Sequence, residues 1–524
     1  MSNINDFVIK NGILEDYCGE GGAVVIPDGV TSINSEAFYG CQSLTNITIP
    51  DGVTSIGDFA FQHCIRLTNI TIPDGLTSIG DGAFCGCTSL TNITLPDRVT
   101  SIGKGAFSAC IRLTNITIPG GVTSIGTWAF QDCTSLTNIT IPDGVTSIGG
   151  WAFKECTSLT SITIPDSLTF IGDDAFKNCT SLHYNIYGAV KYLGNEGNPY
   201  LAAIATTDTD LAIYEIHNQA KILVPEVFKG YTSLTNITLP DSVTTIGYDA
   251  VEGCTSLTSI TIPDSVTTIG RDAFKDCTSL HYNIYGAVKY LGNEGNPYLA
   301  AIATTDTDLA IYEIHSQAKI LAPEVFKVCK SLNSITIPDG VTMIGYGAFS
   351  GCTSLSNITI PDGVTSIDEC AFFGCTSLSN ITIPDGVTSI GKSVFSGCKN
   401  LTNITIPDGV TSIGGWAFQD CTSLTSITIP DGVTSIGNWA FGHCHSLMSV
   451  TIPDSVTCVG DSAFSGCKSL ERVYYKGTAS NWKKISIDRE NTALRKATRF
   501  CYSETKPTRS GNYWHYVDGE PTIW

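Results

Sequence analysis

Apolar and polar positions recur along most of this chain with a period of 23 residues. The unit is clearest from Cys41 to Gln62, C-Q-S-L-T-N-I-T-I-P-D-G-V-T-S-I-G-D-F-A-F-Q, with apolar positions at Cys41, Leu44, Ile47, Ile49, Val53, Ile56, Ala60 and Phe61. Ile47-Thr48-Ile49 alternates as a half-buried strand does, isoleucines inward and threonine toward solvent. Pro50-Asp51-Gly52 is turn chemistry. Val53-Thr54-Ser55-Ile56 gives a second short extended stretch closed by Gly57, and Ala60-Phe61 predicts a single helical or 3₁₀ turn that drops Phe61 into the core. One unit cannot bury so many apolar positions alone, whereas stacked units make a continuous core. The pattern predicts a β-rich solenoid.

The phenylalanine position returns at 38, 61, 84, 107, 130, 153 and 176, at 228, Val251 and 274, and from 326 to 464, seventeen units in all. The two longer steps are 52 residues each, one ordinary step plus one of 29, so each hides a divergent turn and the coils number nineteen. At ~4.8 Å between neighbouring strands this is a solenoid on the order of 90 Å long. The two divergent turns are near copies, 98 residues apart: His183-Tyr184-Asn185-Ile186-Tyr187-Gly188 through Glu215-Ile216-His217 recurs as His281-Tyr282 through Glu313-Ile314-His315. Tyr184–Leu193 and the Asn-Glu-Gly-Asn-Pro that follows predict a projecting hairpin. The expected organisation is an N-terminal cap over 1–26 and a solenoid over 27–470, with hairpin-bearing turns near 183–217 and 281–315. A C-terminal cap and aromatic tail then occupy 471–524.

Charge narrows the partners. With 29 Lys plus Arg against 49 Asp plus Glu, the 524-residue chain carries a formal charge of −20. That argues against nucleic acid, which needs a basic stripe, and against an anionic membrane surface. The 42% apolar content excludes wholesale disorder. No apolar run reaches the length of a transmembrane helix, so no membrane insertion is expected. The start, Met1-Ser2-Asn3-Ile4-Asn5-Asp6, lacks the basic-then-apolar layout of a secretory signal.

Sixteen of the 21 cysteines share one repeat position, from Cys41 to Cys179, at Cys254 and Cys277, and from Cys329 to Cys467. Neighbours would sit one strand spacing apart with parallel Cβ vectors, a poor geometry for a disulfide. A buried ladder of free thiols is expected. Ligands at zinc spacing are missing; His63 near Cys85-Gly86-Cys87 and the run His443-Cys444-His445 each fall short of a four-ligand set, so neither a metal nor a cofactor is expected. Fourteen of the fifteen repeat prolines are followed by Asp, as at Asp51, Asp74 and Asp97. Stacked, these form an acidic edge that could collect cations, although Asp is also a favoured, solvated turn residue.

The strand face repeats Asn46-Ile47-Thr48, Asn69-Ile70-Thr71 and so on, a polar ladder suited to extended repetitive contacts rather than to a small-molecule pocket. Variation concentrates just before the Ala-Phe pair, where Phe59, Trp128, Trp151, Asp174, Glu226, Asp272, Trp416 and Trp439 stand. Tryptophans exposed there would be binding hot spots; packing against the next coil is the plainer role. The divergent turns contribute Tyr187, Tyr192 and Tyr200, with copies Tyr285, Tyr290 and Tyr298, as further binding candidates. No catalytic motif occurs, and no catalytic residue is expected.

The pattern C-x2-L-x2-I-x-I-P-x2-V-x2-I-G-x2-A-F, over about residues 27 to 470, closely resembles the BspA-like leucine-rich repeat family. The start, Phe7-Val8-Ile9-Lys10-Asn11-Gly12-Ile13-Leu14, followed by Gly21-Gly22-Ala23-Val24-Val25-Ile26-Pro27, is similar to that family's N-terminal cap. Val473-Tyr474-Tyr475-Lys476-Gly477-Thr478, Trp482 and Tyr513-Trp514-His515-Tyr516-Val517-Asp518-Gly519 are similar to the closing segment of bacterial members. The resemblance implies a leucine-rich repeat solenoid and a bacterial surface or secreted adhesin-like protein, without shared catalytic residues. Non-catalytic recognition of a host or neighbouring-cell protein is therefore the expected function, for a monomeric chain whose location the sequence itself leaves open. The alternatives are carbohydrate or cell-wall binding through the aromatic tail around Trp514, Tyr516 and Trp524, and an intracellular protein-interaction scaffold.

Overall fold

The computed structural model describes residues 4–508, 511–517 and 519–524; Met1, Ser2 and Asn3 of the cap and Asp518 of the tail lie outside them. The described residues form a β-solenoid of about 21 turns with almost no helix. Two compact units divide it, one of residues up to 259 with 272–280, the other of 260–271 with 281–524.

The first unit begins with an antiparallel hairpin, Phe7–Lys10 against Ile13–Tyr17. Its second strand pairs in parallel with Ser32–Ile33 and opens a nine-stranded ladder of short strands that ends at Phe170–Ile171. A second ladder carries the Asn-Ile-Thr strands, each residue beside its equivalent one unit on, as in Asn92 with Asn115 and Ile93 with Ile116. The alternation read from sequence holds: the central isoleucine of Asn138–Thr140 is buried between exposed neighbours.

The turn at Ala60-Phe61 bonds in two directions. Gln62 N–H reaches Phe59 C=O at 3.0 Å and Cys64 N–H reaches Phe61 C=O at 3.2 Å, which closes the turn. The intervening N–H groups point along the stack, Phe59 to Asp81 C=O at 2.7 Å and Phe61 to Ala83 C=O at 2.7 Å. Positive φ makes this possible: Phe59 and His63 stand at 55° and 59°. The dropped phenylalanines stack face to face, from Phe38 with Phe61 at 5.0 Å to Phe153 with Phe176 at 5.6 Å. Tyr17 extends the column at 4.9 Å, so the expected N-terminal cap already contributes to the repeat core.

The divergent turn 183–217 is not a lone projecting hairpin. Asn185–Tyr187, Val190–Leu193 and Ala202–Thr206 form a three-stranded antiparallel meander, whose last strand pairs in parallel with Ile222–Leu223 and so restarts the short-strand ladder. Thr245 Oγ1 donates to Thr169 C=O at 3.0 Å and Tyr248 meets the Phe170 ring edge-on at 5.7 Å, which ties the restarted coils to the last regular ones.

The second unit repeats this plan. Asn283–Tyr285, Val288–Leu291 and Ala300–Thr304 form the copied meander, and short strands run on from Ile320–Leu321. Phe326 to Phe464 form its column, with rings 5.1 to 5.6 Å apart. The C-terminal segments continue the ladders rather than merely covering them: Cys458 pairs with Ser486 and Val459 with Ile487. Arg472–Tyr475 and Thr498–Tyr502 extend the other sheet.

The cysteine ladder is as expected in oxidation state and, apart from half-buried Cys41, in burial. All 21 cysteines are free. Most of its thiols have a partner that the sequence did not reveal: they donate to the carbonyl of the phenylalanine position one unit back, as Cys64 Sγ does to Phe38 C=O at 3.2 Å and Cys421 Sγ to Phe395 C=O at 3.2 Å, whereas Cys329 Sγ accepts from Tyr312 Oη at 3.4 Å.

Candidate functional site

The variable slot before Ala-Phe is a left-handed backbone position in all seventeen units. Trp128, Trp151, Trp416 and Trp439 stand there at φ of 59°, 55°, 57° and 59°. A Cβ in this region crowds the following carbonyl and costs roughly 1–2 kcal/mol. The slot also points the side chain outward. Trp128 is 44% exposed, and its indole stacks on that of Trp151 with centroids 5.8 Å apart and planes 19° from parallel. The other two take different partners. Lys392 Nζ sits 4.9 Å from the Trp416 ring centre, and Trp439 packs against His443 at 5.6 Å.

The divergent turns gather aromatic clusters. Tyr200 stacks on His217 at 3.8 Å, Tyr187 meets His217 edge-on at 4.8 Å, and Tyr187 Oη donates to Glu215 Oε1 at 3.1 Å. That hydrogen bond to a carboxylate pushes the Tyr187 phenol pKa up. In the copy, Tyr298 stacks on His315 at 3.9 Å and Tyr285 meets it at 4.8 Å. Tyr192 and Tyr290 must be withdrawn as contact residues. Both are fully buried, and their hydroxyls accept from the His217 and His315 backbone N–H at 3.1 and 3.0 Å. Burial pushes each phenol up to about 12. They belong to the core because Val190–Leu193 and Val288–Leu291 are the middle strands of their meanders. Tyr187, Tyr200 and Tyr298 are half-buried, and Tyr285 is exposed.

The aromatic tail loses its leading residue in the same way. Trp514 is fully buried, with Nε1–H donating to Tyr475 C=O at 3.0 Å, so it anchors the last sheet. Tyr516 and Trp524 remain exposed, the latter stacked on His515 at 3.7 Å. Among the described residues no three His, Cys, Asp or Glu side chains come together as a metal site, and no helix is long and apolar enough to cross a membrane.

Sequence reasoning overlooked four exposed isoleucines in the divergent turns, Ile186 and Ile213 with their copies Ile284 and Ile311. One signal was available. Ile213 pairs with Asn236, so it fills a strand slot that regular units give to asparagine or serine.

Residues 9–137, 125–196, 205–294, 304–424 and 388–496 match the family described as BspA type leucine rich repeat region (6 copies). The chain belongs to this family. The BspA-type repeat fold is typically non-catalytic, and leucine-rich repeat proteins commonly mediate protein interaction. No curated protein matches the chain. Among solved structures, this BspA-type chain is similar to the T. pallidum leucine rich repeat protein, at 34% identity over 35% of this chain and 90% of that one, with a TM-score of 0.33. It is also similar to a leucine-rich repeat protein from Bacteroides ovatus, 24% identical over 96% and 97% with a TM-score of 0.29. A leucine rich cell surface protein from Faecalibacterium prausnitzii is 26% identical over 93% and 95%, with a TM-score of 0.27.

Proposed function

We propose that this protein acts at the cell surface as a non-catalytic recognition protein, adhesin-like, holding a protein of a host or neighbouring cell on its exposed aromatic residues. The observation that supports this reading most is the Trp128–Trp151 stack. Two large rings stack in an outward-pointing slot that most units fill with a charged or small residue, and Trp128 stays 44% exposed there. Tryptophan is also the residue most concentrated at protein-binding hot spots. The aromatic clusters at Tyr200 and Tyr298 are secondary contact candidates.

The test is adhesion of beads carrying the full chain to washed host cells, compared with beads carrying Trp128→Gly with Trp151→Gly. Glycine suits a positive φ, so this variant keeps the fold while removing both rings. Bound beads are expected to fall at least ten-fold. Undiminished adhesion by the glycine variant would sink the tryptophan reading, and the absence of any adhesion by the wild type would sink adhesion itself.

A further inference from the structure

Each divergent turn ends its sheet on a strand whose outer side pairs with no other among the described residues, Asn185–Tyr187 in the first unit and Asn283–Tyr285 in the second. Such an edge offers backbone N–H and C=O groups to another chain. The hairpin decides which residue faces outward. Its two-residue connections, Gly188-Ala189 and Gly286-Ala287, place a glycine at φ 55° and 57° in the first central position, the type II′ arrangement. The closing pairs, Tyr187 with Val190 and Tyr285 with Val288, exchange both hydrogen bonds, so Ile186 and Ile284 turn their N–H and C=O away from their own hairpins. Their side chains are 56% and 58% exposed. Proteins ordinarily guard an open edge with lysine, proline or a bulge; here it carries a bare β-branched residue, twice.

Charge selects the occupant. Residues 183–217 hold one lysine against four carboxylates, Glu196, Asp208, Asp210 and Glu215, and 281–315 repeat that balance. All these carboxylates are exposed. The lysines, Lys191 and Lys289, already lie over the Tyr184 and Tyr282 rings at 5.7 and 5.3 Å. Two copies of a chain carrying −20 repel one another, so the edges disfavour self-pairing and favour a cationic segment.

We infer that each divergent turn is a strand-addition site for an extended, lysine- or arginine-rich segment of a partner protein. The segment lies beside Asn185–Tyr187, and a second beside Asn283–Tyr285. Its backbone bonds to Ile186 or Ile284, one of its apolar side chains covers that isoleucine, and its cations face the carboxylates. The inference rests on the protein-recognition reading for its biological setting and uses a different surface from the tryptophans.

Calorimetric titration of the full chain with acetyl-Lys-Val-Lys-Val-Lys-Val-Lys-amide tests it. Two peptides per chain are expected, with affinity falling as salt rises, and no binding of the peptide with Glu in place of Lys. Ile186→Pro with Ile284→Pro removes only outward N–H groups, which an edge tolerates, and leaves every charge in place; affinity is expected to drop at least ten-fold. Ile186→Lys with Ile284→Lys, which keeps those N–H groups, is expected to weaken binding as well. A wild-type chain that ignores the basic peptide, or a proline variant that binds it as tightly, overturns the inference. Cell adhesion abolished by the tryptophan changes but untouched by the proline pair would overturn it while leaving the recognition reading intact.

Discussion

A repeat position shows its physics best where one residue departs from the rest. Most units place glycine directly after the short strand; at Gly57 an added Cβ would lie 2.5 Å from the Ser35 backbone nitrogen. Asp368 occupies the equivalent position. Its carboxyl accepts from Ser366 Oγ at 2.9 Å, but burial dominates and raises its pKa from 3.8 to about 6. A raised carboxyl favours the folded state only while protonated, so its contribution is complete below pH 3.8 and is lost as pH rises toward 6. Asp368→Gly is therefore expected to stabilise the chain at pH 7 by up to about 3 kcal/mol, and to have little effect through this route at pH 3.5. Urea unfolding of both proteins at the two pH values measures the difference. Equal gains at both would mean that backbone fit, not charge burial, is what glycine relieves. The tryptophan slot is a different residue-scale case, because sequence showed the variation there but not its cause. Left-handed backbone leaves no sequence mark when aspartate, glutamate, serine, glycine and tryptophan all accept it.

At the scale of elements, the outline of the regular coil was legible: strand, turn, short strand and buried aromatic each follow from their own chemistry within 23 residues. The divergent turns were half legible. Their hairpin followed from Tyr184–Leu193, whereas the third strand, Ala202–Thr206, depends on pairing with Ile222–Leu223 outside the segment. Tyr192 looked like its neighbours in sequence and became core through that pairing. The C-terminal end poses the capping problem of any stack. Phe441 N–H donates to Ala463 C=O at 2.8 Å, but Phe464 has no following unit. Asn491, buried in the closing segment, supplies the missing acceptor: its Oδ1 accepts from Phe464 N–H at 3.0 Å while its Nδ2 donates to Gly460 C=O at 2.8 Å. Asn491→Ala strips both bonds from buried groups and is expected to cost about 1–3 kcal/mol. The loss should be local, seen as faster amide exchange at Phe464 and Ser462, with the Phe38–Phe176 column unaffected; protection unchanged at Phe464 would show another group acting as the cap.

For the whole molecule, the thiol ladder ties stability to alkali. Burial lifts Cys64, Cys179, Cys277, Cys398 and Cys467 from an ordinary 9.0 to about 12. A thiol raised in the folded state contributes fully below its unfolded pKa and loses that contribution as pH climbs through the folded value. The urea midpoint is expected to hold between pH 7 and 8, to decline above pH 9, and to collapse before pH 12. A midpoint still level at pH 11 would contradict the ladder. Denatured without reductant, the chain should titrate as 21 thiols. Sequence predicted the ladder because one position repeats sixteen times; it could not show the acceptor, since Cys64 and Phe38 are 26 residues apart and meet only after stacking.

The common register also bears on how such a chain can change length. Nearly every regular coil offers its neighbours the same hydrogen bonds, ring and thiol, Val251 and Tyr231 being the substitutions at the ring and thiol positions, so a splice that adds or deletes whole coils leaves no mismatched seam inside either unit. The copied segment already has this form: its 98 residues comprise one divergent turn of 29 and three ordinary coils. Recombination between such similar repeats would thus produce folded variants in whole-coil steps. Shifts of another size need a segment that rebuilds the register, as each 29-residue turn does through its meander, so whole-coil steps let the exposed surface lengthen or shorten without a new fold having to arise.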